Sequence, residues 1–203
     1  MNRIPILGLI GGIGSGKSLA AGEFVKQGGY LIAGDALGHE ALRDEEIKRR
    51  VVERFGPGVL DENGVVQRRK LGTIVFGDSA ELRALEAIVF PFIGKRIREE
   101  IPKAGAAMAG AAKFIVLDAA VMMEAGWDHN CDRIIYVDAP ADVRRRRLLE
   151  KRGWSEMEIE ARAKSQLPVE DKRRRADFVI DNSGSPEAMA PQVKRVLEEL
   201  GIK

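Results

Sequence analysis

The chain has 203 residues, of which 33 are Lys or Arg and 31 are Asp or Glu, so its formal net charge is only +2. A hydrophobic fraction of 45% with 32% charged residues is typical of one globular core and excludes a disordered or collagenous chain. The single cysteine, Cys131, excludes a disulfide framework, and no apolar run reaches the ~18 residues that a membrane helix needs. We therefore expect a cytoplasmic protein, neither secreted nor transmembrane, with no membrane partner.

The first residues alternate between strand and helix patterns. Residues 4–10 form a short β-branched apolar run that ends at two glycines, which predicts a buried strand. Apolar side chains at helical spacing in residues 18–27 predict a helix, and residues 30–33 predict a second short strand.

The later part of the chain predicts three further strands and a closing helix. The strands are residues 114–118, 134–138 and 178–181, each of which ends in Asp, and the helix is residues 186–200. Strands that alternate with helices are typical of an α/β fold with a mostly parallel sheet.

Two intervals are too long to be simple connections in such a fold. Residues 36–112 have mostly helical periodicity, and residues 141–176 contain a strongly basic stretch. Within it, residues 144–175 hold 12 Lys and Arg against 6 Asp and Glu, which predicts an anionic ligand at this segment. A polyphosphate, a nucleic acid and a merely solvated helix face remain as alternatives. An aromatic content of 5% offers few side chains on which bases could stack, so we expect no nucleic acid partner.

A glycine-rich motif follows the first predicted strand. Residues 11–18 read GGIGSGKS and match G-x-x-x-x-G-K-[ST] in full, between the strand and the helix that this motif requires. Glycines let successive backbone N–H groups surround a phosphate, and the helix N-terminus adds a favourable dipole. Lys17 is placed to reach the β- and γ-phosphates of ATP, and the Ser18 hydroxyl to bind Mg²⁺.

The rest of the sequence favours a small-molecule kinase among the enzymes that share this motif. The tetrapeptide N-K-x-D, with which a GTPase reads guanine, does not occur. Two predicted strands end in Asp118-Ala119 and Asp138-Ala139, so neither offers the Asp-Glu pair typical of a motor ATPase. In a kinase, the basic insertion would close as a lid and keep water from the phosphates.

Two acidic residues follow predicted strands and have two interpretations each. Asp35 either accepts the proton of an attacking hydroxyl or caps a helix. Asp118 either contacts Mg²⁺ indirectly or caps the next helix. His39 and His129 lack neighbours at metal-ligand spacing, so we expect both to be structural.

With these motifs in place, the sequence resembles the dephospho-coenzyme A kinase family over nearly its whole length. The segments from residue 147 onward are the more discriminating, because many enzymes share the glycine-rich motif of residues 11–18, which is called a P-loop. The segments that carry the resemblance are residues 11–18, Asp35, 55–56, 64–76 with Arg68 and Leu71, 85–86, Pro91, 118–124, 131–132, 147–166, Lys172, 176–177, 179–182 and Gly184.

The resemblance implies a five-stranded parallel P-loop core flanked by helices, with a helical coenzyme-A-binding insertion and a helical lid. The core would comprise residues 1–35, 113–140 and 177–203, the acceptor-binding insertion residues 36–112, and the lid residues 141–176. The implied reaction moves the γ-phosphate of Mg·ATP to the 3′-hydroxyl of dephospho-coenzyme A. We expect a monomer or weak homo-oligomer.

Several positions depart from the family pattern. Ala33 replaces the first carboxylate of an Asp-x-Asp pair, and Phe90 replaces the His of a His-Pro pair. Gln67 replaces an acidic residue, and Ala120 replaces a proline. Since these positions belong to segments expected near the acceptor, the alternatives are a relative that phosphorylates another nucleoside-containing molecule and a nucleotide-binding regulator with little turnover.

The predicted site combines the motif with the lid. Lys17, Asp35 and Arg147 are the expected catalytic residues: Lys17 holds the phosphates, Asp35 deprotonates the hydroxyl and Arg147 stabilises the transferring group. Ser18 is the expected Mg²⁺ ligand. The residues expected to bind the nucleotide are Gly12, Ile13, Gly14, Ser15, Gly16, Lys17, Ser18, Leu19 and Arg144.

Overall fold

A computed structural model describes residues 4–107 and 113–202, so residues 108–112 of the predicted 36–112 insertion lie outside the described part. Five strands are present: β1 (Ile6–Gly11), β2 (Gly29–Ala33), β3 (Phe114–Asp118), β4 (Arg133–Asp138) and β5 (Phe178–Asp181). The α-helices in these residues are α1 (Lys17–Lys26), α2 (Gly34–Ala41), α3 (Glu45–Phe55), α4 (Arg68–Val75), α5 (Ser79–Ala107), α6 (Ala141–Arg152), α7 (Glu156–Lys164), α8 (Val169–Arg174) and α9 (Met189–Glu199). Short 3₁₀ helices cover Pro57–Val59, Trp127–Asn130 and Pro186–Ala188.

The five strands form one parallel sheet in the order β2-β3-β1-β4-β5. The central strand β1 pairs with β3 and β4, with Leu9 beside Asp118 on one side and Ile135 on the other. All six residues of β1 are buried, as expected for a strand covered on both faces, which is why it reads as a continuous apolar run. The predicted α/β fold with a five-stranded parallel sheet is confirmed.

Two aspartates fix the register at the start of neighbouring strands. Asp132 precedes β4, and its Oδ2 accepts the Ile6 backbone N–H at 2.8 Å. Asp177 precedes β5, and its Oδ2 accepts the Ile134 N–H at 2.7 Å. Each carboxylate therefore satisfies a donor at the strand end, where the sheet ladder leaves it without a backbone partner.

One hydrophobic core lies between the sheet and the helices α1 and α9. Phe24 of α1 meets Phe114 of β3 edge-on, with ring centroids 6.1 Å apart and an interplanar angle of 82°. This edge-to-face arrangement is one that aromatic pairs prefer. The buried residues of α9 that join this core are Met189, Val193, Val196 and Leu197.

The chain divides into two compact units, residues 1–33 with 98–203, and residues 34–97. The first contains the sheet, α1 and α6 to α9. The second contains α2, α3, α4 and most of α5. Its helix α3 begins at Asp44, whose side chain accepts the N–H groups of Glu46 and Ile47. Within it, the Arg96 Nε lies 2.7 Å from Glu40 Oε1, and Val51 and Ile97 are fully buried.

Element ends differ slightly from those predicted from the sequence. The first strand covers 6–11 rather than 4–10, because Pro5 offers only a carbonyl, which accepts the Ile115 N–H at 2.8 Å. The closing helix begins with a separate 3₁₀ turn at Pro186. Among the described residues, no helix is both long enough and apolar enough to cross a lipid bilayer.

The structure predicts that Cys131 is unreactive in the folded protein. Its Sγ lies 3.8 Å from Met122 Sδ, and burial, with smaller effects of Asp128 and Asp132, raises the pKa of its thiol to about 12. At pH 8 the thiol is therefore protonated, and only the thiolate is nucleophilic. We expect iodoacetamide to modify Cys131 far more slowly in the native chain than in urea, followed by mass spectrometry. Equal rates in both would contradict this placement.

Candidate active site

The glycine-rich motif forms a closed loop between β1 and α1. Gly14 and Gly16 have φ of 77° and 92°, values in the left-handed region that only glycine adopts at little cost. The Ser15 N–H donates to the Gly12 carbonyl at 3.0 Å, and Gly16 is the N-cap of α1. The sequence therefore folds here into a P-loop that leads into a helix N-terminus, the arrangement that binds phosphate.

The space around the loop also requires glycine. A Cβ on Gly16 would lie 2.1 Å from Asn182 Nδ2, and one on Gly12 would lie 2.5 Å from Arg144 Nη1. Ser15 is only 1% exposed, and its buried Oγ has no hydrogen-bond partner among the described residues. A hydroxyl left in this way can donate to a phosphate oxygen, so the loop suits a nucleotide.

Lys17 forms an ion pair with Asp118 at the carboxyl end of the sheet. Its Nζ lies 2.5 Å from Asp118 Oδ1, and the two side chains are only 14% and 12% exposed. Asp118 is the last residue of β3, next to β1 in the sheet, so strand order brings these two residues together although they lie 101 positions apart. Turns and a 3₁₀ helix, rather than an α-helix, follow Asp118, so it does not cap a helix there.

Arg147 and Asn182 both donate hydrogen bonds to one backbone carbonyl of the P-loop, that of Ser15. Asn182 Nδ2 donates to the Ser15 carbonyl at 2.7 Å, and Arg147 Nη1 reaches the same oxygen at 3.4 Å. Arg147 Nη2 donates to the Asn182 carbonyl at 2.8 Å. Asn182 is 4% exposed, and its own N–H donates to the Asp138 carbonyl at 2.8 Å. The ends of β4 and β5 and the helix α6 are thus tied to the loop.

The remaining predicted residues are placed as follows. Arg144 donates from Nε to the Ala139 carbonyl at 3.1 Å, with its guanidinium against Gly12. Ser18 and Leu19 are exposed in the first turn of α1. Asp35 is exposed and is the second residue of α2, inside the first turn, so it does not occupy the N-cap position. It belongs to the unit 34–97, whereas the P-loop, Asp118 and both arginines belong to the other unit.

A buried lysine joins the loop after β3 to the end of the predicted lid. Lys172 Nζ lies 2.7 Å from Glu124 Oε1, and it also donates to the Ala120 carbonyl at 2.8 Å and to Gln166 Oε1 at 3.2 Å. Burial lowers the pKa of Lys172, while Glu124 acts to raise it and the charge of Lys17 lowers it further. Each of the two lysines, Lys17 and Lys172, therefore has its own carboxylate, Asp118 for the first and Glu124 for the second.

Local sequence signals shape the predicted lid. Helix α6 ends at Gly153, which has φ of 62°, and α7 begins with a capping box between Ser155 and Glu158. The Trp154 ring between the two helices receives the Arg162 guanidinium at 4.4 Å from its centroid. This cation–π contact fixes the turn between α6 and α7.

The histidines show no metal site. Among the described residues, no three His, Cys, Asp or Glu side chains are grouped so as to hold a metal ion. His129 Nδ1 is hydrogen-bonded to the Gly126 carbonyl. The pKa of His39 is lowered by burial and by Arg68, against an opposite effect of Asp35 on the same helix.

Sequence reasoning gave no role to Asn182, Lys172 or Glu124. All three belong to segments that carried the family resemblance, and this was the only signal that could have found them. Their partners lie far away in sequence: Ser15 is 167 positions from Asn182, and Ala120 is 52 positions from Lys172. No local pattern reveals contacts that depend on strand order.

A parallel sheet with β1 at its centre, a P-loop before α1 and arginines from a late helical segment define a P-loop kinase of small molecules. The family model described as Dephospho-CoA kinase matches residues 5–187. The Dephospho-CoA kinase of Aquifex aeolicus is 43% identical over 195 residues, which cover 96% of each chain. The chain belongs to the dephospho-CoA kinase family, as its sequence motifs suggested.

Two solved structures share the fold of this chain. The crystal structure of TT1252 from Thermus thermophilus is 34% identical, with a TM-score of 0.80 and coverage of 98% of this chain and 99% of that one. Dephospho-CoA kinase from Campylobacter jejuni, 23% identical with a TM-score of 0.68 and 96% coverage of both chains, shows the same fold.

Two of the departures from the family pattern, Ala120 and Gln67, have a structural explanation. The contact that residue 120 makes with Lys172 uses its backbone carbonyl, which alanine and proline both possess. Gln67 is the N-cap of α4, and its N–H donates to the Val59 carbonyl at 2.8 Å, a backbone bond that an acidic residue would also make. Ala33 is the last residue of β2, and nothing in the structure explains Phe90.

Asn182→Ala tests the contact with the P-loop. Loss of the bond to the buried Ser15 carbonyl should lower the free energy of unfolding by about 1–3 kcal/mol. It should also weaken Mg·ATP binding roughly tenfold, if about 1.4 kcal/mol of the loss falls on the loop conformation that binds phosphate. Urea unfolding and calorimetric titration measure the two effects.

Asn130→Ala is the matched control, because Asn130 Nδ2 also donates to a carbonyl, that of Trp127, at 2.9 Å but away from the loop. It should lose stability and keep its nucleotide affinity. Unchanged affinity in both variants would show that Asn182 does not shape the P-loop.

Proposed function

We propose that this chain transfers the γ-phosphoryl group of ATP to the 3′-hydroxyl of dephospho-coenzyme A, the final step of coenzyme A synthesis. A complete P-loop in a chain that matches the family from residue 5 to residue 187 carries the proposal. The geometry of the first unit supports the phosphate half of the reaction, and family membership supports the acceptor.

The P-loop would bind the nucleotide. Its backbone N–H groups and the Ser15 hydroxyl would donate to the phosphates, and Lys17 would exchange the Asp118 carboxylate for β- and γ-phosphate oxygens. Until then, the ion pair with Asp118 would hold the Lys17 ammonium at the carboxyl end of the sheet. ATP rather than another nucleotide follows from the family.

The oxygen donors at the loop fit a magnesium ion. Ser18 offers its hydroxyl in the first turn of α1, and Asp118 offers a carboxylate directly or through water. Bound there, Mg²⁺ would neutralise charge that develops on the phosphate oxygens. Both residues belong to the unit that contains the P-loop.

Acceptor activation falls to Asp35 in this proposal, with the insertion 36–112 binding coenzyme A. Asp35 is exposed in the first turn of α2, and a carboxylate placed there can take the proton of the attacking hydroxyl. Closure of the lid 141–176 would bring the charge of Arg144 and Arg147 onto the transferring group and exclude water.

Product formation from Mg·ATP and dephospho-coenzyme A tests the function directly. We expect a phosphorylated product by chromatography with mass detection, and none from Lys17→Ala, which removes the ammonium and whose folded state circular dichroism would check. No product from the wild type, together with measurable ATP binding, would indicate another nucleoside-containing acceptor or a regulatory role. A screen of such acceptors would then separate these two alternatives.

Asp35→Asn tests the proposed base. Replacing the carboxylate with an amide should lower kcat by roughly 10²–10⁴-fold while the chain remains folded. Asp44→Asn is the matched control in the same unit, because asparagine caps a helix as well as aspartate does and this variant should keep full activity. A fully active Asp35→Asn would exclude general base catalysis by this residue.

A further inference from the structure

The strongest unassigned feature is the buried cluster around Lys172, which we name the Lys172 hub. It consists of Lys172, Glu124, the Gln166 side chain, the Ala120 carbonyl and the Leu167 N–H. The three protons of the ammonium have three acceptors, and Glu124 Oε1 accepts both Lys172 and, at 2.8 Å, the Leu167 N–H. The Lys172 side chain is 1% exposed and that of Glu124 is 13% exposed.

The buried ion pair of the Lys172 hub contributes little to the stability of the fold. Removing two charges from water costs free energy that their attraction only partly returns, so a well-packed apolar pair would stabilise the fold as well. Glu124 Oε2 is also buried and has no hydrogen-bond partner among the described residues. Because the cluster adds little stability, the role that its geometry supports is to fix the positions of the segments it joins.

The hub lies between two segments of the proposed active site. Ala120 follows Asp118, the partner of Lys17, by two residues, so Lys172 anchors the turn that positions that carboxylate. Gln166 and Leu167 follow α7, where the predicted lid returns to the core. Lys17 and Lys172 are thus linked through one short stretch of chain, in which Asp118 pairs with Lys17 and the Ala120 carbonyl accepts from Lys172.

We propose that Lys172 is a positioning residue that ties the returning end of the lid to the turn holding Asp118 against Lys17. Movement of the lid and placement of the Lys17 ammonium are thereby coupled. This inference rests on the proposed kinase activity, and it assigns no contact between Lys172 and the substrates.

The test uses a double variant, because Lys172→Met alone would leave a buried carboxylate unpaired and destabilise the chain for that reason only. Lys172→Met with Glu124→Gln removes both charges and retains an amide oxygen for the Leu167 N–H. Lys26→Met with Glu23→Gln is the matched control, since this Lys–Glu pair on α1 has its lysine 69% exposed.

For the hub variant, we expect a folded protein by circular dichroism with kcat reduced about tenfold to 100-fold, because small misplacement of a catalytic group is costly. The KM for ATP should change little. ATP hydrolysis without acceptor should rise relative to product formation, because the lid would no longer be closed against water when the Lys17 ammonium is in position at the phosphates. Lys172→Arg keeps the charge and should recover part of kcat. The control pair should match the wild type in all three measurements.

Trypsin provides a second measurement that does not need the acceptor. Residues 144–175 contain 12 Lys and Arg, so cleavage there reports on the lid. A nonhydrolysable Mg·ATP analogue should slow this cleavage in the wild type and in the control pair, and slow it less in the hub variant. The proposal would be overturned if a folded hub variant had the wild-type kcat, the wild-type ratio of ATP hydrolysis to product, and the wild-type slowing of trypsin cleavage by the analogue. Absence of product from the wild type would instead count against the proposed function, and the protease measurement would still decide the role of Lys172.

Discussion

The backbone of the P-loop imposes the constraint on which the rest of the site depends. In the proposed role its N–H groups would surround the phosphates, and the Ser15 carbonyl, which is turned toward the protein, needs donors there. The Ser15 carbonyl receives two, from Asn182 after β5 and from Arg147 on α6. A ligand-binding loop in the first 18 residues is therefore held in shape by side chains from the last third of the chain.

Charge imposes a second constraint on the same end of the sheet. Lys17 and Lys172 are both largely buried, and a buried ammonium needs a paired anion or loses its proton. Both partners, Asp118 and Glu124, lie on one stretch of chain that begins at the last residue of β3. Residues 118–124 therefore act as one acidic support for two lysines, one in the P-loop and one beside the predicted lid, and this explains why the segment belongs to the family pattern as a unit.

Sequence reasoning succeeded where local rules determine the structure. Strands β3 and β5 were predicted with their observed ends: β3 because a strand buried on both faces reads as an apolar run, and β5, which is largely exposed, because a short apolar run ends at Asp181. The P-loop was predicted because Gly14 and Gly16 adopt a positive φ, which favours glycine. The contacts of Asn182 and of the Lys172 hub could not be predicted in this way. They depend on the sheet order, which places sequence-distant strand ends side by side, and no spacing of residues encodes that order. The roles of Asp35 and of the insertion 36–112 remain predictions.

The basic excess of the lid segment has a more specific meaning in the structure than in the sequence. Several of its cations are paired with carboxylates, namely Arg145 with Glu156, Lys172 with Glu124, Arg173 with Asp138 and Arg174 with Asp171. Arg144 and Arg147 instead donate to backbone carbonyls beside the P-loop, which orient a guanidinium without neutralising it. Their full positive charge therefore acts at the loop itself. A positive field concentrated at one phosphate-binding loop favours a polyphosphate over an extended nucleic acid backbone, which would need cations spread along a surface.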